Sequence, residues 1–360
     1  MSKKTIASVI ALIAASGAAQ AQVNGEIVFT DLLTDGVWSV APVANSTPTL
    51  RFDYSGGQNP VRLADIVEGP GGSFYVADSA YNVIADDLRL ARITRLNNLF
   101  GAATSTTINS GFPIENPIGM ALSDDGQYLA TINNSPAAQS DTIKGVLGIS
   151  TTPNGFVNTM YQQGPFSDPL PTFRAGTYIV NDPNSGDYFA MTVNGGLNGG
   201  STDSTSASSL WRISVQDGTT LASTSTLVQD FGDNGTGFGF DITQMRGLGV
   251  DGNGDLYMTA FERGEIYKMT DPNGAATLSL LASGLSQPEA IEFNPFTGKL
   301  VVSLRDNLVN PSIIQMNTDG TGIETVAEGV FARGFAFVPA PSSIALLGLG
   351  GLAATRRRRG

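Results

Sequence analysis

At 360 residues, with 41% hydrophobic and 14% charged side chains, the chain is long and apolar enough to bury a sizeable core rather than stay disordered. It contains no Cys and no His, which excludes disulfides, Cys/His zinc sites and any mechanism built on a Cys nucleophile or an imidazole base. The formal net charge is −12, but six of the 20 basic residues (Lys3, Lys4, Arg356, Arg357, Arg358 and Arg359) lie in the two end segments. Residues 22–338 therefore carry 14 positive against 32 negative charges, and such a body should repel nucleic acid and anionic lipid.

The first segment, Met1 to Ala21, has the three parts of a secretory signal: Lys3 and Lys4, an apolar run from Ile6 to Ala15, and Ala19-Gln20-Ala21 as an A-x-A cleavage site. An amphipathic first helix is the alternative. Next come three strand-like runs, Glu26 to Thr30, Val37 to Ala41 and Thr49 to Tyr54, punctuated by Asp35-Gly36 and Pro48.

From residue 62 onward one phrase recurs five times: an apolar run, a polar Gly/Asp/Asn turn, and a second alternating run. Its openings are 62–67, 117–122, 174–180, 246–250 and 288–293, and its second strands are 74–77, 128–131, 188–192, 256–260 and 300–304. The clearest copy spans Met245 to Met269. Period-two alternation broken by Asp, Asn and Gly specifies short antiparallel strands joined by hairpins. Repeats of about 40 to 50 residues carrying four strands each specify a propeller.

The N-terminal strands lack an opening run, and its counterpart stands at the far end, in Phe331 to Val338. The reading is therefore an all-β, six-bladed propeller over residues 22–338, closed by pairing the last strand with the first. Two polar insertions, Asn194 to Ser209 and Asp230 to Asp241, should lie on the surface.

The Pro-Glu-Ala-Ile at 288–291 and the Asp-x-x-Gly-x-Leu-Tyr at 251–257 resemble propellers of the NHL and gluconolactonase type, over most of residues 62–338. The resemblance implies a propeller body. Some relatives are metal-dependent lactonases and others bind ligands. Glu68-Gly69-Pro70 is similar to the Glu-Gly-Pro of the lactonases. It falls after the first strand, at the turn, so no metal role is carried onto Glu68.

Arg62, Arg174, Arg246 and Arg333 occupy similar places just before the innermost strand of four blades, with Glu289 and Glu115 or Asn116 contributed by others. Such residues ring one mouth of the channel. Two readings stay open: a collar that recognises an anion or acidic sugar, or arginines that pair with neighbouring carboxylates such as Asp65 and fasten the blades. Asp251, Asn253 and Asp255 match the oxygen-rich opening of a calcium loop. They equally suit a plain Asp/Gly hairpin, as does Asp230 to Gly235. Trp38, Trp211, Tyr161 and Tyr178 are either sugar platforms or core. No nucleophile elbow, P-loop or dinucleotide fingerprint is present.

The chain ends in Pro339-Ala340-Pro341, a short apolar run from Ile344 to Ala354, and Arg356 to Arg359. Eleven or so apolar residues are short for a span, which needs about 20, so the tail suits a temporary stop in the membrane during export; a permanent anchor is the alternative. These residues resemble the PEP-CTERM sorting signal, with Ala340 in place of the Glu. That resemblance implies processing of 339–360 by an exosortase and association with extracellular polysaccharide. The composite expectation is an exported, surface- or matrix-associated, non-catalytic binding or scaffold propeller without a cofactor. The alternative is a calcium-type propeller hydrolase or lactonase.

Overall fold

The computed structural model describes residues 23–54, 63–79, 91–110, 114, 116–133, 145–162, 176–193, 208–216, 220–231, 242 and 244–339. Among them, 24 strands form six antiparallel sheets of four. The chain opens with β1 (Glu26–Asp31), β2 (Gly36–Val40) and β3 (Thr49–Asp53). Four strands then make each of five sheets. The first holds β4 (Leu63–Gly69), β5 (Ser73–Asp78), β6 (Arg92–Asn97) and β7 (Thr104–Ser110), and the second β8 (Pro117–Leu122), β9 (Tyr128–Asn133), β10 (Gly145–Ser150) and β11 (Val157–Gln162). The third holds β12 (Gly176–Asn181), β13 (Tyr188–Val193), β14 (Ser208–Val215) and β15 (Ser223–Asp230). The fourth comprises β16 (Met245–Val250), β17 (Leu256–Ala260), β18 (Glu265–Thr270) and β19 (Thr277–Ala282). The fifth comprises β20 (Pro288–Asn294), β21 (Lys299–Leu304), β22 (Ser312–Asn317) and β23 (Glu324–Glu328). The last strand, β24 (Ala332–Val338), returns to the beginning, in the order β24-β1-β2-β3.

The first strand of each sheet touches the first strand of the next, from β4 through β8, β12, β16 and β20 to β24 and back to β4. The body is thus a closed six-bladed propeller. Its closure is the expected one: Glu26 faces Val338, Ile27 faces Phe337 and Phe29 faces Phe335. Two further bonds lock it, from the Gly25 amide to the Val338 carbonyl at 2.9 Å and from the Phe331 amide to Asp31 Oδ1 at 2.8 Å.

Burial follows from this arrangement. A sheet wedged between two others buries both faces of its inner strands, so these read as nearly continuous apolar runs such as Leu300-Val301-Val302. The outermost strands have water on one side. Accordingly β7 and β15 are rich in Ser and Thr and alternate or stay exposed, which also blunts them as pairing edges.

A bulge interrupts pairing near the start of every innermost strand, for example between Met245 and Leu248 and between Pro288 and Ile291. The repeated irregularity puts the blades in register. The second residues of the innermost strands are Ala64, Ile118, Thr177, Arg246, Glu289 and Arg333, and the third are Asp65, Gly119, Tyr178, Gly247, Ala290 and Gly334. Small residues dominate the third position because the neighbouring blade comes close. A β-carbon on Gly247 would stand 2.5 Å from the Glu289 carbonyl oxygen, and one on Gly119 2.9 Å from the Tyr178 Cα.

Two expected surface segments shrink. Ser208 and Ser209, placed by composition in a polar loop, open β14 and are buried, because the Ser209 hydroxyl pairs with Thr192 Oγ1 at 2.6 Å and accepts the Trp211 indole N–H at 2.9 Å. Phe231, within the second insertion, is fully buried in the core. The expected signal helix and sorting helix, with Ala340, Pro341 and Arg356 to Arg359, lie outside the described residues, and Pro339 ends the described body.

Candidate functional site at the channel mouth

The innermost strands all start at one face of the ring, here the upper face. Three consecutive second positions there, on β16, β20 and β24, carry Arg246, Glu289 and Arg333. Their side chains meet. Arg246 Nη1 lies 3.0 and 2.9 Å from the two carboxylate oxygens of Glu289, and Arg333 Nη1 lies 3.3 Å from Glu289 Oε1. Arg246 Nη2 also donates to Gln244 Oε1 at 3.1 Å. Glu289 is only 2% exposed, so its charge is tolerable only because it is paired. Burial works to raise its pKa. Arg333, Arg246 and Arg305 together outweigh burial and hold the carboxylate below its usual range.

The collar is therefore an ion-paired cluster fastening three adjacent blades, with Glu289 rather than Asp65 as the carboxylate. Arg62 and Arg174 lie outside the described residues, as does Glu115; in their blades the second positions belong to Ala64 and Thr177. Asn116 is buried, and its amide donates to Asn133 Oδ1 at 3.0 Å.

Arg305 was not singled out by the repeat, because it follows β21 in the connection to β22. Its guanidinium carbon stands 5.7 Å from the centre of the Phe261 ring and 5.8 Å from that of Phe331, while Arg246 covers Phe261 at 3.9 Å. The result is a run of alternating guanidinium and phenyl groups. The only signal available in the sequence was the lone Arg at the end of an otherwise apolar strand.

Deeper in the channel the two third positions that are not small, Asp65 and Tyr178, do special work. Tyr178 reaches across the ring, and its hydroxyl donates to the carbonyl of Arg333 on the opposite blade. Burial raises its pKa. Asp65 Oδ2 accepts the amide of Met120 on the next blade at 2.7 Å, and Oδ1 accepts the Ile66 amide at 2.8 Å. Burial pushes Asp65 up to about 7, against the pull of those two amides and of Arg333. Glu292 is likewise held well above its usual range, by burial first and by Asp65 second.

At the lower face, where the innermost strands end, the candidate metal loop is a hydrogen-bonded turn. Asp251 Oδ1 accepts the amides of Asn253 at 2.9 Å and Asp255 at 3.1 Å, and Oδ2 accepts the Tyr257 hydroxyl at 3.0 Å. Asp255 pairs with Lys268 at 2.8 Å, and the Asn253 carbonyl accepts the Asn184 side-chain amide at 3.2 Å. Ser123, Asp182 and Asn294 hold the same place in three other blades and close their turns with the same oxygen-to-amide bonds. Among the described residues, no group of three or more acidic side chains converges on one point. Of the four aromatics, Trp211 and Tyr178 are buried in the core, while Trp38 and Tyr161 are half-buried against it.

No family model and no curated protein matches this chain. Among solved structures, a chain in the crystal structure of a nidogen/laminin complex is similar with a TM-score of 0.61 and 14% identity, covering 88% of this chain and 98% of that one. TolB from Acinetobacter baumannii is similar with a TM-score of 0.55 and 13% identity, covering 88% of this chain and 67% of TolB. At these identities the likeness establishes one thing, that the body is a β-propeller.

Proposed function

We propose that the protein is an exported, non-catalytic β-propeller that binds a polymer or partner outside the cytoplasm, with extracellular polysaccharide the expected partner. The observation that carries this reading is the state of Glu289. Wedged between guanidiniums and held ionised, it is a poor proton acceptor and has no proton to give at neutral pH, so the best-formed polar cluster of the mouth is suited to recognition rather than to acid–base chemistry. A rigid ring with its charged cluster at one mouth is a platform on which a ligand loses little protein entropy. Export rests on the chain ends: Lys3 and Lys4 with Ala19-Gln20-Ala21 at one, Pro339-Ala340-Pro341 with the Arg block at the other.

Two measurements test the reading. The full chain, expressed in a Gram-negative host with an exosortase, should be recovered outside the cytoplasm, shortened at both ends on intact-mass analysis; an unprocessed cytoplasmic product refutes export. The purified protein should co-sediment with acidic extracellular polysaccharide and show no lactone hydrolysis with or without added calcium. Calcium-dependent turnover would replace this reading with that of a propeller hydrolase.

A further inference from the structure

The upper mouth carries more positive charge than its own carboxylate answers. Around Glu289 stand Arg246, Arg305 and Arg333, and all three guanidiniums act on its ionisation. Arg246 is spent on Glu289 and Gln244. Arg333 touches Glu289 through Nη1 alone, and its Nε is buried without a hydrogen-bond partner. The Nε of Arg305 is buried and unpartnered as well, and the rings of Phe261 and Phe331 flank that guanidinium. Buried donors left open cost about 1–3 kcal/mol each; eight further buried polar atoms of the described residues are open in the same way, and what sets these two apart is that both belong to guanidiniums acting on the same carboxylate.

The register of the blades sets Arg305 apart from its counterparts. In three consecutive blades the residue after the second strand donates its amide to the carbonyl just before the innermost strand: Phe261 to Gln244 at 3.2 Å, Arg305 to Gln287 at 3.1 Å and Leu32 to Phe331 at 3.1 Å. Two blades fill this place with an apolar side chain, and only the blade between them uses a cation. The segment that follows is strained. Asp306, Asn307 and Leu308 all have positive φ, at 42°, 50° and 63°, and none is glycine. The Asn307 amide is pinned to Gln287 Oε1 at 2.9 Å, which fixes the turn on which Arg305 is mounted. Strain of this kind gathers where a side chain must be presented in one orientation.

We infer that Arg305 and Arg333 form an anion site at the upper mouth that receives a carboxylate of an acidic saccharide, a uronate. This rests on the proposed polysaccharide-binding role and adds to it the ligand class and the residues. A carboxylate is favoured because the same cluster already holds one, that of Glu289, between two guanidiniums. The forked N–H groups of arginine match its two oxygens.

The test is binding of oligogalacturonate, a neutral oligosaccharide of equal length and inorganic sulfate to the full chain by calorimetry, with thermal unfolding followed alongside. Oligogalacturonate should bind and raise the unfolding temperature, and the other two should not. Arg305→Leu copies the residue of the neighbouring blade, so it should fold to the same ring with only a modest loss of stability, from the weaker hold on Glu289, while losing about tenfold or more in affinity. Arg305→Lys, which keeps the charge without the fork, should lose part of that. Unchanged affinity in Arg305→Leu overturns the site and leaves polysaccharide binding elsewhere on the ring standing. Marked destabilisation of Arg305→Leu without ligand also overturns it, since Arg305 would then be a packing residue. Equal binding of sulfate or the neutral sugar refutes the uronate assignment. If the parent chain binds none of the three, the site is refuted, and co-sedimentation with whole polymer still decides the broader reading.

Discussion

The two ends of the channel use the same kinds of residue in opposite ways. At the lower face, Ser123, Asp182, Asp251 and Asn294 each turn a side-chain oxygen back onto the amides of their own turn, and Asp182 and Asn294 each add one bond to another blade, from Asn273 Nδ2 at 2.7 Å and to the Gly25 carbonyl at 2.8 Å. At the upper face the polar groups reach between blades: Glu289 to Arg246 and Arg333, Tyr178 to the far side of the ring, Asp65 to Met120 on the next blade. The side-chain oxygens of the lower turns are engaged chiefly by backbone amides. The upper contacts join charged side chains of several blades into a cluster whose members depend on one another, and two unpartnered guanidinium donors, Arg305 Nε and Arg333 Nε, stand in it. The lower face shapes the turn of each blade, and the upper face ties blades to one another through charged side chains.

The largest effect should come from the element both faces share. Removing β24, by ending the chain at Val330, opens the ring and leaves β1 with an unpaired edge and Phe29 exposed. No cooperative thermal transition should remain; a truncated chain that still melts in one step would show that the five complete blades close without it. Next, Glu289→Leu strands two guanidiniums at a desolvated mouth and should cost about 3–5 kcal/mol by urea unfolding. A loss below about 1 kcal/mol would mean that the upper cluster contributes no more than a single turn hydrogen bond.

The pH dependence separates two members of the upper network. Asp65 has a folded pKa of about 7 against an unfolded value near 3.8, so the folded state holds the extra proton between them and stability falls as pH rises through that window, by at most about 4 kcal/mol. Glu289 is shifted the other way. Its contribution is present above the ordinary carboxylate range and is lost as pH falls through its depressed folded pKa. Denaturant midpoints should therefore peak in mildly acidic solution. Asp65→Asn should make the alkaline side of the profile shallower, with Glu292, shifted the same way, keeping the remainder, and Glu289→Gln should flatten the acid side; a parent profile that rises from pH 5 to pH 8 would contradict the burial-driven shift of Asp65.

Much of this was legible in the chain. The five openings and their second strands lie within about two residues of the observed strands, and the match of Phe331 to Val338 with the missing opening run gave the closure. Short apolar runs set off by Asp, Asn and Gly turns carry that information because each inner strand must bury both faces. Glu289, Arg246 and Arg333 were legible as a group because they share one place in the repeat. Their mutual pairing was not, since the repeat gives a residue's rung and not the reach of its side chain. Arg305 was missed for a related reason: its kinship with Phe261 and Leu32 lies in backbone hydrogen bonds, while their side chains have nothing in common. Ser208 and Ser209 misled because hydroxyls that find partners can be buried at little cost.

The smallest effect belongs to the lower turn, and it bears directly on calcium. Asp251 holds three donors, so Asp251→Ala releases two turn amides to water but strands the buried Tyr257 hydroxyl, for a cost of about 1–3 kcal/mol. Asp251→Asn keeps an oxygen for the amides and should cost less than about 1 kcal/mol, as the Asn294 turn of another blade already works that way. Were the loop a metal site instead, the order of effects would change with the solution: calcium would stabilise the parent chain and neither variant. With the carboxylate engaged as described, millimolar calcium should move the unfolding temperature of all three by no more than about 1 °C. A larger rise confined to the parent would show that the ion can outbid the turn amides for Asp251, and the lower face would then have a binding role of its own.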